Sequence, residues 1–243
     1  MTPSNYHTHT VYCDGHDTPE ELVLEAIRRG CPEIGFSGHS YTPFDGSYCM
    51  TPAGTRQYRE EVARLKEKYR DQIKIKCGIE QDYFSHEPTD GYDYVIGAVH
   101  YIKKDGAYLS VDYTKQRQIE DVERYYGGDF YAYCEDYFAL VGEVYQKTKC
   151  DIVAHFDLVT KFNEGGALFD TAHPRYVAAA DAALEKLLSC PAAFEINYGA
   201  ISRGYRKTPY PERRIIEKLQ ERGARIIRSS DCHSKEYLLL GME

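Results

Sequence analysis

Two hydrophobic patterns alternate along the chain: apolar residues three and four apart, which mark amphipathic helices, and short runs rich in β-branched and aromatic residues, which mark strands. The first helix is signalled by Thr18 as N-cap, Pro19 at the first helical position and Glu21 closing a capping box, with Leu22, Val23, Ala26 and Ile27 as its apolar stripe. Gly30 stops it, and a strand follows over Glu33–Ser37. The same grammar returns late: Pro211 opens a helix with Ile215, Ile216 and Leu219 inward, Gly223 ends it, and Ala224–Ser229 reads as a strand. Further strands are expected at Asn5–His9, Ile73–Glu80, Tyr94–Val99, Asp151–His155 and Ala193–Asn197, making seven, with helices over Arg56–Tyr69, Phe130–Lys147 and Pro174–Leu188. The stretch Tyr101–Asp129 is polar and tyrosine-rich and reads as a long insertion. Helix, glycine, strand, polar tip is the unit of a parallel α/β fold, and without a linker or repeat the expectation is one domain over residues 1–243.

Composition narrows the class. With 243 residues, 42% apolar and 28% charged, the chain can bury a sizeable core. Lys plus Arg is 30 against 38 Asp plus Glu, and the net charge of −8 argues against a nucleic-acid or anionic-membrane surface. No apolar run approaches the roughly 20 residues of a membrane span. Met1–Asn5 has neither basic segment nor apolar core, so no signal peptide is expected. None of the eight cysteines forms a C-x-x-C pair, which excludes a zinc ribbon and points to reduced thiols in a cytoplasmic protein. The 23 tyrosines find no explanation in the pattern alone.

The chemistry is in the histidines. Six of nine, His7, His9, His39, His100, His155 and His233, fall at the C-terminal ends of expected strands, the end of an α/β barrel where active sites form. Glu80 and Asp231 join them. His7 and His9, two apart on a strand, point the same way, and Asp231 and His233 repeat that spacing. A lone histidine at a strand end is usually a hydrogen-bonded structural residue. Six at successive tips with carboxylates form a ring suited to zinc, manganese or iron and unsuited to an apolar core.

Through His7-Thr8-His9, Asp14-Gly15, Ser37-Gly38-His39-Ser40, Gly78-Ile79-Glu80, Gly97-Ala98-Val99-His100-Tyr101, Ala154-His155-Phe156-Asp157 and Ser230-Asp231-Cys232-His233-Ser234, the chain resembles the PHP (polymerase and histidinol phosphatase) superfamily. Asn197–Gly204 and the opening His7–Thr18 most resemble its monofunctional histidinol-phosphatases. The resemblance implies a distorted (β/α)7 TIM-like barrel and two or three divalent metal ions (Zn, Fe or Mn) held by His7, His9, Asp14, His39, Glu80, His100, His155, Asp231 and His233. It assigns His7, His9, Glu80 and Asp231 to one metal, Glu80, His100 and His155 to a second, and Asp14, His39 and His233 to a third. Some superfamily members use a histidine in the loop after H-x-H. Here both Asp14 and His16 are offered, and the Tyr12-Cys13-Asp14-Gly15 pattern favours Asp14. His86 and His173 fall outside the motifs, the latter at a helix start.

Such a cluster suits phosphate-ester hydrolysis, because metals generate hydroxide near neutral pH and neutralise phosphate oxygens. The expected reaction is hydrolysis of L-histidinol phosphate to L-histidinol and phosphate in histidine biosynthesis, by metal-activated hydroxide attack. Asp231, Asp14 or a metal-bound water would deliver the leaving-group proton, with Glu80 bridging metals. Arg203, with Ser202 and Lys161 beside it on the barrel mouth, is the expected phosphate contact. Asp45 and Asp157 are candidates for the substrate ammonium, and Tyr41, Phe44 and Tyr101 for its ring. The alternatives are another small phosphate ester, a nucleic-acid phosphodiester, or a metal-binding module without catalysis. An amidohydrolase barrel also opens with H-x-H, but Glu80 and the Asp231-x-His233 ending do not fit it.

Overall fold

The computed structural model describes residues 3–242, so Met1, Thr2 and Glu243, the ends of the expected 1–243 domain, lie outside the described residues. Six parallel strands form the main sheet: β1 (Glu33–Phe36), β2 (Lys74–Asp82), β3 (Tyr94–Ala98), β6 (Ile152–Val153), β7 (Ala193–Asn197) and β8 (Ile226–Ser229), in the order β1-β2-β3-β6-β7-β8. The expected first strand becomes the seventh stave. Asn5 bridges Ile34 beside β1, and Thr8 bridges Cys232 just past β8, both in parallel, so Asn5–His9 links the two edges and closes the ring. It forms bridges instead of a ladder because its N–H groups find side chains: the Thr8 N–H donates to Ser37 Oγ (3.0 Å) and that of His7 to Asn5 Oδ1 (3.3 Å).

The helices largely follow the pattern. In α1 (Pro19–Arg28) both halves of the Thr18–Glu21 capping box are present. Helix α2 (Pro52–Lys68) starts earlier than expected, at the Thr51 cap. The expected helix Phe130–Lys147 is two, α4 (Phe130–Val141) and α5 (Val144–Thr148), parted at Gly142. A Cβ on Gly142 would lie 3.2 Å from the Ala183 Cα of α6 (Pro174–Leu188), so close approach fixes a weak helix former there. A short α7 (Gly199–Ser202) and α8 (Arg213–Glu221) connect β7 to β8. Pro211 does not sit inside α8 but before it, and Ile216 is only partly buried. The β2–β3 connection, residues 83–93, contains no helix, which is one distortion of the barrel.

The Tyr101–Asp129 insertion is ordered. Strands β4 (Tyr101–Lys104) and β5 (Ala107–Ser110) pair antiparallel, and α3 (Lys115–Tyr126) follows. Asp105 and Gly106 turn the hairpin with φ of 48° and 84°, the conformation that an Asp-Gly pair supplies.

Two apolar clusters divide the interior. The larger packs the outward side chains of the strands, such as Ile79, Val95, Val153 and Phe194, against α1, α2, α4, α6 and α8. The smaller lies inside the barrel: Tyr94, Ile96, Ala98, Ile152 and Ala154, flanked by Tyr6 and Ile227. Tyr94 fills this floor, donating to the carbonyls of Tyr6 (2.5 Å) and Phe36 (2.8 Å). A Cβ on Gly78 would come within 2.3 Å of its ring, so glycine there makes room for the tyrosine. The fully buried Tyr58 likewise donates to the Gly78 carbonyl (2.8 Å), and Tyr137 to that of Phe156 (3.3 Å). Part of the tyrosine excess is thus core that binds backbone carbonyls around the barrel. No helix among the described residues is long and apolar enough to cross a membrane.

Candidate metal centre

All nine expected ligand residues converge at the C-terminal ends of the strands. His7 and His9 come from the closing stave. His39 follows β1 and bridges Glu80 of β2. His100 and His155 follow β3 and β6, Asp231 and His233 follow β8, and Asp14 sits in the turn after the first stave. Glu80 is central: its Oε2 lies 2.8 Å from His39 Nδ1 and 3.3 Å from His7 Nε2, and its Oε1 lies 3.0 Å from His155 Nε2 and 3.4 Å from His100 Nε2. Asp231 Oδ1 lies 3.2 Å from His9 Nε2, and Asp14 Oδ2 lies 3.2 Å from His233 Nε2. Asp231 lies past the end of β8, as the expected strand Ala224–Ser229 also has it. Its φ is +46°, so the chain turns there to aim both Asp231 and His233 at the cluster.

Three donor sets each fall within 4.8 Å: His9, Asp14, His39 and His233; His7, His9 and Glu80; and His39, Glu80 and His100. They overlap at His9, His39 and Glu80, a more shared arrangement than the division the resemblance implied. His16 is exposed, with its backbone N–H on the His233 carbonyl (2.8 Å), so of the two loop candidates Asp14 is the one in the cluster. His86 is exposed, and His173 caps α6 by accepting from the Arg175 N–H (3.2 Å).

The donor set fits divalent ions. His7 Nε2, His9 Nε2, Asp14 Oδ1, Glu80 Oε2 and His155 Nδ1 are buried without a hydrogen-bond partner, and all belong to residues of the cluster. Unpartnered buried polar atoms are costly, and a metal ion supplies the missing partner. Burial disfavours charge on His7, but Glu195, Asp231 and Glu80 outweigh it and hold its pKa well above the usual value. His9 goes the other way: burial, His233 and His39 push it down to about 3, leaving a neutral ring suited to ligation. Glu80, despite burial, is held well below the carboxylate range by His39, His7 and His100.

Sequence reading missed the groups behind the ligands. Glu195, inward-facing on β7 and fully buried, accepts from His7 Nδ1 (2.6 Å), the His155 backbone N–H (3.0 Å) and Asn197 Nδ2 (2.8 Å). Capture of the His155 N–H explains why β6 stops at Val153, short of the expected His155. Asp82 faces His100 Nδ1 at 3.1 Å, and Asn197 also donates to Asp231 Oδ2 (3.2 Å). Such partners fix ring orientation and tautomer. The signal was a lone acidic residue at an inward position of an otherwise apolar run, Ala193–Ile196.

Above the cluster opens a cavity of about 410 Å³, whose lining includes Arg203, Lys161, Asp45, Tyr101 and Asp112. Arg203 Nη2 lies 3.2 Å from Asp231 Oδ2, and its Nη1 lies 2.7 Å from His233 Nδ1, while its Nε has no partner. A Cβ on Gly199 would sit 2.4 Å from Asp231 Oδ2, so that glycine leaves space for the Asp231–Arg203 pair. Lys161 is engaged by Asp112, donating to its carbonyl (2.7 Å) and to Oδ2 (3.3 Å). Ser202 is not among the lining residues, and its hydroxyl donates to the Gly199 carbonyl (2.8 Å). Asp157 is not among them either: it is fully buried and accepts from the Glu212 N–H (2.9 Å). Tyr41 is also absent from the lining, and Phe44 lines an adjoining groove that shares Asp45 and Tyr101 with the cavity.

Comparison with known proteins bears on the family and the fold. The family model of the PHP domain matches residues 5–199. The chain belongs to the PHP domain family. A histidinol-phosphatase of Bacillus subtilis is 30% identical over 188 residues, 67% of this chain and 68% of that protein. A crystal structure from Listeria monocytogenes superposes with a TM-score of 0.85 at 20% identity, covering 98% of both chains. The histidinol phosphate phosphatase of Lactococcus lactis, solved with zinc, L-histidinol and phosphate, superposes with a TM-score of 0.68 at 22% identity over 96% of this chain and 86% of that one.

Proposed function

We propose that this chain is a single PHP-type barrel that hydrolyses L-histidinol phosphate to L-histidinol and phosphate, with two or three divalent ions held by the nine converging side chains. The observation that carries the reading is the cluster itself, whose five unpartnered buried atoms call for cations at the base of an open cavity. The names of the relatives supply the substrate, since the B. subtilis protein is a histidinol-phosphatase and the L. lactis structure holds L-histidinol and phosphate. When bound, the ions would lower the pKa of water and neutralise phosphate charge.

The chain's own residues do the rest. His7, His9, Asp14, His39, Glu80, His100, His155, Asp231 and His233 hold the ions, with Glu195 and Asp82 fixing the imidazoles from behind. Arg203 lines the cavity and binds a phosphate oxygen, and its hold on Asp231 ties phosphate position to that carboxylate. Lys161 adds little net charge, because Asp112 neutralises it. Asp231 and Asp14, both on the cavity lining, are placed to pass a proton to the leaving oxygen. A small substrate, not nucleic acid, fits the net charge of −8 and the limited cavity. Eight unpaired cysteines, six of them buried, fit the cytoplasm.

The test is phosphate release from L-histidinol phosphate by zinc- or manganese-loaded protein, beside p-nitrophenyl phosphate and thymidine 5′-monophosphate p-nitrophenyl ester. Preference for histidinol phosphate supports the assignment. Equal, weak turnover of the monoesters removes the substrate, and preference for the diester moves the chain to the phosphodiesterases.

A further inference from the structure

One carboxylate on the cavity wall has no counter-ion. Asp112 is paired with Lys161, Asp231 with Arg203, and Glu80 and Asp14 with histidines. Asp45 is held by neutral donors alone: the Ser47 N–H (3.0 Å), Ser47 Oγ (2.6 Å) and the Tyr101 hydroxyl (2.8 Å). Among the described residues no Lys, Arg or His forms an ion pair with it. Burial alone would raise its pKa, but the bonds from Ser47 and Tyr101 keep it below the usual carboxylate value, so it is charged at neutral pH. Its position is also particular. The Tyr48 ring packs edge-on against His39 (4.8 Å between centroids), Tyr101 lies 6.2 Å beyond Tyr48, and Tyr101 reaches Asp45. Two aromatic rings therefore run outward from the metal-ligand histidines to an uncompensated negative charge.

The two ends of the cavity thus ask for opposite charges. The end at the histidines takes an anion through its cations and Arg203. The outer end presents a preorganised carboxylate at the hydroxyl of Tyr101, which attracts a cation. We propose that Asp45, with Tyr101 and Tyr48, is the subsite for a cationic group on the leaving alcohol, selecting amino-alcohol phosphates over phosphates of neutral alcohols. The proposal rests on the phosphomonoesterase reading and adds to it the residue that recognises the organic part of the substrate. Asp45 binds substrate and takes no part in the bond-breaking step.

The test is the ratio of kcat/KM for L-histidinol phosphate to that for p-nitrophenyl phosphate, measured in wild type, Asp45→Asn and Tyr101→Phe with metal content determined for each. The amide keeps the shape and the Ser47 bonds and removes the charge. The ratio is expected to fall about 10- to 100-fold in Asp45→Asn, the range for losing one charged hydrogen-bond partner, and mainly through KM. In Tyr101→Phe the charge and the ring remain but one bond to the carboxylate is lost, so the ratio should fall by less than in Asp45→Asn. An unchanged ratio in Asp45→Asn overturns the subsite, as does an equal fall in both variants, which would mean the loop and not the charge matters. If wild type itself shows no preference for histidinol phosphate, the substrate assignment fails separately. Asp45 is then judged on O-phosphoethanolamine against glycerol 3-phosphate, where the same selective loss supports it and a constant ratio overturns it.

Discussion

Low in the barrel the interior is filled by Tyr94, Ile96, Ala98, Ile152 and Ala154, whereas at its mouth it carries Glu80, His100, His155 and Glu195. The lower half is apolar, and its one hydroxyl, on Tyr94, is bonded to two carbonyls. The upper half is also buried, yet leaves five ligand-type atoms unpartnered. Packing forces alone account for the first arrangement. The second opposes folding until something cationic completes it, and a fold retains such a set where chemistry needs it. The floor holds the ring of strands together, and the mouth spends part of that stability on a site.

The largest test of this division is Glu80→Gln. It removes the carboxylate that faces five imidazoles, and should cut bound metal and hydrolysis together, by about 10³-fold in rate, as read by elemental analysis and phosphate release. Retained metal with full activity would remove Glu80 from the centre. Glu195→Gln reaches the same site from behind. It should lower metal affinity or rate by about 10- to 100-fold while leaving the thermal unfolding of the metal-free protein nearly unchanged. Gly78→Ala attacks the floor instead, forcing Tyr94 aside. It should cost about 1–3 kcal/mol of stability in denaturant titration, with metal stoichiometry preserved in the folded fraction. Smallest is Thr18→Ala, far from both halves, which should lose about 1 kcal/mol through the α1 cap and leave catalysis untouched.

The same contrast explains what the amino-acid sequence reveals and what it conceals. Helix α6 and strand β7 fall where periodicity places them, because capping and alternation are local signals. The ligand histidines are legible because each ends a strand and a parallel barrel gathers strand ends. The Asp105-Gly106 hairpin was also written locally, though the tyrosines around it suggest a featureless insertion. Glu195, Asp82 and the engagement of Lys161 by Asp112 depend on which neighbours the closed ring brings together, and no local pattern carries that. The break of α4 at Gly142 is likewise a contact with α6, not a property of its own segment.

The central claim is that the unpartnered donors at the barrel mouth bind divalent ions and that those ions enable hydrolysis of histidinol phosphate. The most direct measurement is to strip the protein of metal, titrate it with zinc or manganese, and follow phosphate release from L-histidinol phosphate. The account predicts no hydrolysis in the stripped protein and activity that saturates at about two to three equivalents, with kcat/KM at or above about 10⁴ M⁻¹ s⁻¹. Hydrolysis that persists at the same rate in the metal-free protein would contradict it.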